Sequence, residues 1–433
     1  MNIDSLLKPY QRFGVHLGLD RIKKLLKDLD NPHHAVPIIH VAGTNGKGSV
    51  CAYLSSVLTE AGYKVGRYTS PHLINWTERI CLNGKPIASE ELKNLLLQIQ
   101  AVIDHETEES PTQFEVITAA AWLYFAQQQV DIAVVEVGLG GRLDATNVCK
   151  EPLVSIITSL SREHWQNLGP TLSDIAREKA GILKQNAPAV IGPLPPEATV
   201  VVESKIKQVN CPTTWVEPAK EINNQDVSSP IWARYQSPDK CNPKFLEYPV
   251  PLLGQIQLTN SALAIATLQI LQQQGWQITE KAIISGMAKT RWLGRLQWTS
   301  WHNHKLLIDG AHNPAAAIAL RQYIDTLNRP INWVMGMLST KDHAEVFQAL
   351  LKPADQLYLL PVPNHSSADP ETLAAIAKHV CPDLANCQTY LDLPTALEAA
   401  NSNSAEVSDN LVVLCGSLYL VGYFLNLEYS DSI

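Results

Sequence analysis

Residues 41–50 read VAGTNGKGSV. The usual phosphate loop has Gly, four residues, Gly-Lys, then Ser or Thr, and it lies between a strand and a helix. Here Gly46-Lys47 is present, but Val41 stands at the first glycine position and Gly48 at the hydroxyl position. The hydroxyl arrives one residue late, at Ser49. The flanks decide the reading: 36–42 is an apolar run of buried-strand type, and 47–61 reads as a helix. Gly43, Gly46 and Gly48 let backbone N–H groups face a phosphate without Cβ obstruction, and the helix N-terminus adds partial positive charge. Lys47 supplies a full charge for terminal phosphates, and Ser49 can reach Mg2+. The stretch reads as a nucleotide loop with its own spacing.

Outward from it, short apolar runs alternate with amphipathic stretches. Segments 131–137 (DIAVVEV) and 153–158 (LVSIIT) read as buried strands, and 172–183 as a helix. Six prolines among polar residues at 217–251 point to an irregular or short-stranded insertion. Helical period returns at 257–274, and a second alternation begins at Lys305, with LLIDG, NWVMGML, QLYLLPV and LVVLCGS as strands. Strand alternating with helix predicts α/β architecture with mainly parallel, doubly wound sheets. A chain of 433 residues exceeds one ordinary core. The break near 292–297 gives a P-loop-type ATP-binding domain over 1–291 and a smaller Rossmann-like domain over 292–433, with the active site expected in the cleft between them.

Composition narrows the ligands. The chain is 45% hydrophobic and 18% charged, with net charge -8 and no run of Lys or Arg, so nucleic acid and acidic membranes are not expected partners. No stretch of about 18 uncharged apolar residues appears, the start has no signal-peptide core, and the eight cysteines include no C-x-x-C pair. A cytoplasmic monomer with reduced thiols is expected. Two more strand ends carry carboxylates. Glu136 follows IAVV and precedes VGLGGRLD, which suits a hard cation with oxygen ligands. Asp309, in DGAHNP, ends the first strand of the second alternation, where ligands of doubly wound sheets collect.

The set HVAGTNGKGSV, TSPHL, FEVITAAAW, VEVGLGGRLDATN, IAREKAGI, GRLQ, DGAHNP and GSLYLVG, in this order from about 40 to 422, resembles the folylpolyglutamate synthase / dihydrofolate synthase family of Mur-type amide ligases. The resemblance implies an ATP-dependent ligase that activates a pterin-linked carboxylate as an acyl phosphate and joins it to L-glutamate, acting on dihydropteroate and on reduced folates. It implies that Gly43, Thr44, Asn45, Gly46, Lys47, Gly48 and Ser49 form the phosphate loop, and that Asn260, Arg295, Asp309 and His312 bind ATP. Ser49, Glu136 and His164 are the implied magnesium ligands. Lys47, Lys179 and His312 are the implied catalytic set, Lys179 aligning with a lysine the family carries as a carbamate. Ser70, Pro71, His72, Phe114 and Glu115 are implied to lie against the pterin substrate. Alone, most of these have plainer readings: Lys179 as a solvated helix lysine, Phe114 as core, Arg295 as a linker arginine.

The chain departs from the family pattern in places. Glu163-His164, preceded by Ser161-Arg162, stands where the family has Asp-His; Leu293 replaces a proline; Ile256 replaces a histidine; and 364–367 lacks an arginine. Alternatives are a polyglutamylation-only enzyme, a peptidoglycan Mur ligase, and an ATP-binding regulator. The second usually carries a nucleotide-sugar domain before the loop, for which 40 residues are too few; the third has no need of Asp309 and His312.

Overall fold

The computed structural model describes residues 2–13, 17–103, 110–222, 231–237, 245–402 and 410–430. The chain divides into two compact units, one comprising Met1–Pro251 and Gln257–Arg291, the other Leu252–Ile256 and Trp292–Ile433.

In the first unit the strands are β1 (Ile38–Ala42), β2 (Val65–Tyr68), β3 (Ile80–Leu82), β4 (Lys85–Pro86), β5 (Ile132–Glu136), β6 (Val154–Ile157), β7 (Ala189–Ile191) and β8 (Thr213–Trp215). They form one sheet in the order β4-β3-β2-β5-β1-β6-β7-β8. All neighbours are parallel except the β2–β3 and β3–β4 pairs. β1 sits near the middle and is buried along its whole length, as a strand covered on both faces must be. Its register sets His40 opposite Val135 on β5 and Ser155 on β6.

The helix Lys47–Glu60 leaves the end of β1 and is buried nearly all round. Ser56 Oγ donates to Gly286 O at 2.6 Å, bringing the helix Glu280–Lys289 against it. The helix Gln113–Gln127 starts with a reciprocal cap: Thr112 Oγ1 accepts from Glu115 N, and Glu115 Oε2 accepts from Thr112 N. Its apolar length packs into a large core of this unit, around Trp122, Phe125, Tyr68 and Leu96.

The expected insertion at 217–251 is a three-stranded antiparallel sheet, β11-β10-β9, of β9 (Lys220–Ile222), β10 (Ile231–Gln236) and β11 (Phe245–Val250). Pro230, Pro238, Pro243 and Cys241 lie outside the described residues.

The second unit holds β12 (Gln297–Trp301), β13 (His304–Ile308), β14 (Ile331–Met335), β15 (Gln356–Leu359), β16 (Asn386–Thr389) and β17 (Leu411–Cys415), in the order β12-β13-β17-β14-β15-β16. Only the β12–β13 hairpin is antiparallel. Its two turn residues, His302 and Asn303, have φ of 45° and 69°, the left-handed pair that matches strand twist in a two-residue hairpin. The core of this unit gathers around Trp333, Phe347, Leu307 and Val413.

The seven described cysteines are all free thiols. Among the described residues, no helix is long and apolar enough to cross a membrane.

Candidate active site

The turn from β1 into the helix Lys47–Glu60 is stitched to the segment after β6. Thr44 N donates to Ser159 O at 2.7 Å, Asn45 N to Ser159 Oγ at 3.1 Å, and Thr158 Oγ1 to Asn45 O at 2.6 Å. Thr44 Oγ1 donates to Ser161 O at 3.2 Å and accepts from Ser161 N at 3.1 Å. Two glycines are obligatory here. Gly43 and Gly46 have φ of 149° and 87°, and a Cβ would collide with Thr158 Oγ1 at the first and with Asn260 Oδ1 at the second. Asn260, on the helix Ile256–Gln273, is thus pressed against the loop, its Nδ2 donating to Gln257 Oε1 at 3.1 Å. Gln257 Nε2 is 3.5 Å from the buried Ser49 hydroxyl.

Three charged side chains converge on this turn. Lys47 Nζ donates to Thr44 O at 3.0 Å and stands 3.9 Å from Glu136 Oε1. Glu136, the last residue of β5, is buried and accepts from Ser70 N at 3.3 Å through Oε2. Lys179 is only 4% exposed, and its Nζ donates to Gly43 O at 2.7 Å. Burial first, and the charge of Lys47 second, pull its pKa from 10.5 down to about 7, against the opposing pull of Glu163 and Asp144.

His164 has a left-handed backbone, φ 50°, at the start of the short helix Trp165–Leu168, and its Nε2 is 3.8 Å from Glu163 Oε1. Among the described residues, no three His, Cys, Asp or Glu side chains group closely enough to hold a metal. That is compatible with Mg2+, which usually takes one or two protein carboxylates and leaves its other positions to water and phosphate. The Ser49 hydroxyl and the Glu136 carboxylate are the hard oxygen donors such an ion prefers.

The residues expected against the pterin border the same strand ends. The ring of Phe114 fills the space a Cβ on Gly138 would need, and it lies 6.2 Å from the ring of Tyr68. Ser70 is joined to Pro71 by a cis peptide. His72 Nδ1 accepts from Arg79 Nε at 2.9 Å, and its ring lies 4.6 Å from that of Trp76, tilted by 60°. Glu115 is committed to the helix cap and to an ion pair with Arg21 at 3.1 Å, which is a scaffold duty.

In the second unit the DGAHNP turn ends β13. Asp309 is buried, accepting from Ala311 N at 2.7 Å and from Leu296 N at 2.8 Å. Burial raises its carboxyl above the ordinary range, while the Arg295 guanidinium opposes that rise. Gly310 N donates to Gly294 O at 2.9 Å, and a Cβ on Gly310 would meet the Arg295 guanidinium. His312 Nδ1 is 2.6 Å from Gly310 O, and Asn313 caps the helix Pro314–Asp325. Arg295, Asp309 and His312 therefore share one turn.

Comparison with known proteins finds relatives along most of the chain. Residues 41–268 match the Mur ligase middle domain, and 294–427 match the dihydrofolate synthetase C-terminal domain. The chain is 35% identical to dihydrofolate synthetase of Saccharomyces cerevisiae, covering 96% of this chain and 99% of that one. The chain belongs to the folylpolyglutamate synthase / dihydrofolate synthase family. It is an ATP-dependent acid–amino-acid ligase of the Mur type. It is also 34% identical to a Bacillus subtilis dihydrofolate synthase/folylpolyglutamate synthase, over 95% of this chain and 94% of that one. Among solved structures it is similar to Escherichia coli FolC in complex with DHPP and ADP, with a TM-score of 0.84 and 30% identity over 99% of this chain and 97% of that one.

Several residues at this ligase's site escaped the sequence reading. Gln257 and the 158–161 stitches are polar residues with ordinary neighbours and give no local signal. His40, Asp144 and Thr146 did carry one. His40 is the lone polar residue of an otherwise apolar strand, and Asp144 and Thr146 follow directly on a glycine-rich turn.

Proposed function

We propose that this ligase performs two reactions: dihydropteroate plus L-glutamate giving dihydrofolate, and extension of reduced folates to polyglutamates. ATP and Mg2+ are its cofactors. ATP supplies the phosphoryl group that turns an unreactive carboxylate into an acyl phosphate, and Mg2+ offsets phosphate charge.

The chain's own residues supply positioning and electrostatics. Backbone N–H groups at the start of the helix, 46–49, would face the phosphates, and Lys47 would give up its bonds to Thr44 O and Glu136 to meet their charge. Ser49 and Glu136 would hold Mg2+, with His164 as the further proposed ligand. Asn260 fixes the loop at Gly46. In the second unit, Arg295, Asp309 and His312 are the nucleotide-contacting group. Lys179, as a carbamate, is an anion where an ammonium would repel the metal. Ser70, Pro71, His72 and Phe114 border the pterin.

The observation that carries the two-reaction reading is the pairing at the β5 end. The Ser70 backbone bonds to Glu136, and the Phe114 ring covers Gly138 two residues on. Both pterin-side segments thus abut the loop that follows the metal carboxylate. The two reactions differ only in whether the activated carboxylate sits on aminobenzoate or on glutamate, so one centre serves both if the pterin binds at two depths. The deciding measurement is kcat/KM for dihydropteroate beside that for a reduced monoglutamate folate, with one purified protein. Turnover of both is expected. ADP release with the folate alone would make the chain a polyglutamate synthase only, and release with dihydropteroate alone a dihydrofolate synthase only.

A further inference from the structure

His40 lies buried in β1, with Nε2 2.9 Å from Thr146 Oγ1. The Thr146 hydroxyl donates to Asp144 Oδ1. The same carboxylate accepts from Thr146 N at 2.9 Å and from Leu139 N at 2.8 Å. A hydroxyl has one proton, and an ionised carboxylate can only accept. Burial raises the Asp144 carboxyl, against the lowering pull of its bonds from Thr146, Leu139 and Gly138; when Thr146 spends its proton on the ionised carboxylate it accepts from His40, whose ring proton is then on Nε2. Burial, with the charge of Lys184 second, lowers the His40 pKa to about 3, so the ring is neutral at working pH. All three residues are buried, where hydrogen bonds strengthen one another and a broken member is costly.

The loop this chain ties down, 138–144, touches two parts of the site. On one side the Phe114 ring is packed on Gly138, with ring atoms 2.8 and 2.9 Å from where its Cβ would be. On the other, a Cβ on Gly141 would lie 2.9 Å from Glu178 O and 3.0 Å from Lys179 O. Arg142 N donates to Glu178 O at 2.7 Å, and the Arg142 side chain pairs with Glu178 at 2.8 Å. The loop is thus a strut wedged between the aromatic on the pterin side and the helix that carries Lys179.

We propose that His40 and Thr146 are positioning residues for the ligation: through Asp144 they lock the 138–144 strut, and so hold Phe114 and Lys179 at a fixed separation. The proposal rests on the roles given above to Phe114 and Lys179. Neither His40 nor Thr146 touches the reacting atoms. Their contribution is rigidity added to a loop otherwise held by its ends, by the Arg142–Glu178 contacts, by Gly18 N on Leu143 O, and by the Asn147 amide, which donates to Arg142 O and Gly181 O.

The test compares Thr146→Val, which keeps the shape and removes the hydroxyl, with Thr146→Ser, which keeps the hydroxyl. Three quantities are read on the full chain: kcat and KM for the pterin carboxylate, ADP affinity by calorimetry, and amide hydrogen exchange by mass spectrometry. Expected for T146V is a kcat lower by about tenfold or more, with ADP affinity unchanged. Exchange should rise in 137–143 and 176–182 but not in the second unit, and T146S should stay close to wild type. A merely structural role would instead raise exchange throughout the first unit and weaken ADP binding alongside. A folded T146V with wild-type kcat overturns the proposal, whether or not its exchange changes. If T146V does not fold, His40→Leu, which leaves the Thr146–Asp144 bond in place, carries the same expectations. A wild type inactive on both pterin carboxylates would sink the functional reading separately. The exchange data would then decide the lock: localised rise in both segments upholds it, and no rise in 176–182 overturns it.

Discussion

Lys179 offers the sharpest test of how burial prepares the site. With a pKa of about 7, its amine is about nine-tenths neutral at pH 8, whereas an ordinary lysine near 10.4 is neutral only about 0.4% of the time. The neutral amine is the form that attacks CO2, forming an N–C bond and releasing a proton to leave a carbamate anion. Burial beside Lys47 therefore raises the reactive fraction about 200-fold over a solvated lysine, and the Lys47 charge favours the anion once made. The perturbation is to strip CO2 from the buffer and restore it as 13C-bicarbonate at pH 8 and at pH 6. At pH 6, one unit below the folded value, the neutral fraction falls to about one-tenth. The assay is the 13C carbamate signal by NMR together with the initial rate of ADP formation. Bicarbonate should restore both at pH 8, and the signal should build far more slowly at pH 6. Lys179→Ala should lose both, and acetate added in trans should return part of the rate. No carbamate signal at pH 8, with rates indifferent to bicarbonate, would refute the reasoning.

Two other expectations follow from the same structure. Lys47→Ala should keep its melting temperature and lose about 10²-fold or more in kcat, since a charge aimed at growing phosphate charge is gone; near-normal kcat in the folded variant would remove Lys47 from the mechanism. Asp355→Ala should destabilise the second unit by about 1–3 kcal/mol in urea unfolding, because the buried Trp333 N–H loses its acceptor, while Arg321 keeps its ion pair with Asp325 at 2.8 Å. The Asp355 Oδ2 accepts from Arg321 Nη1 at 2.6 Å, Trp333 Nε1 at 3.0 Å and Lys352 N at 3.0 Å, and a cost under about 1 kcal/mol would contradict that account.

The strands that position the site were legible because they are buried on both faces. β1, β5, β6 and β17 are near-continuous apolar runs that lie within segments read as strands, while β14 and the buried half of β13 overlap such segments. β12 and β16 were missed for the opposite reason. QWTSW and NCQT are half-exposed edge strands whose polar residues face solvent, and 292–297 read as linker instead. The strands of the insertion were obscured by proline, which edge strands tolerate. Within the site, the glycine loop and the strand-end carboxylates Glu136 and Asp309 were visible as local patterns. Burial of Lys179 was not. Nothing in REKAG distinguishes an exposed helix lysine from one pointing at a carbonyl 136 residues earlier in the chain. The duties of Glu115 were half legible, since Thr112-x-x-Glu115 is a helix-start signature, while Arg21 lies 94 residues away.

The order of strands in the first sheet has a consequence for how the molecule is made. β1 is translated first, but its neighbours are β5 and β6, so one of its edges stays open until residue 136 and the other until residue 157 has left the ribosome. The phosphate loop waits longer still. Thr44 and Asn45 take their shape from Thr158, Ser159 and Ser161, and Gly46 is braced by Asn260. The nucleotide cradle is thus written in the first fifty residues and finished by residues more than two hundred positions later. A nascent chain stalled before the helix Ile256–Gln273 carries the whole glycine loop yet lacks the brace that shapes it.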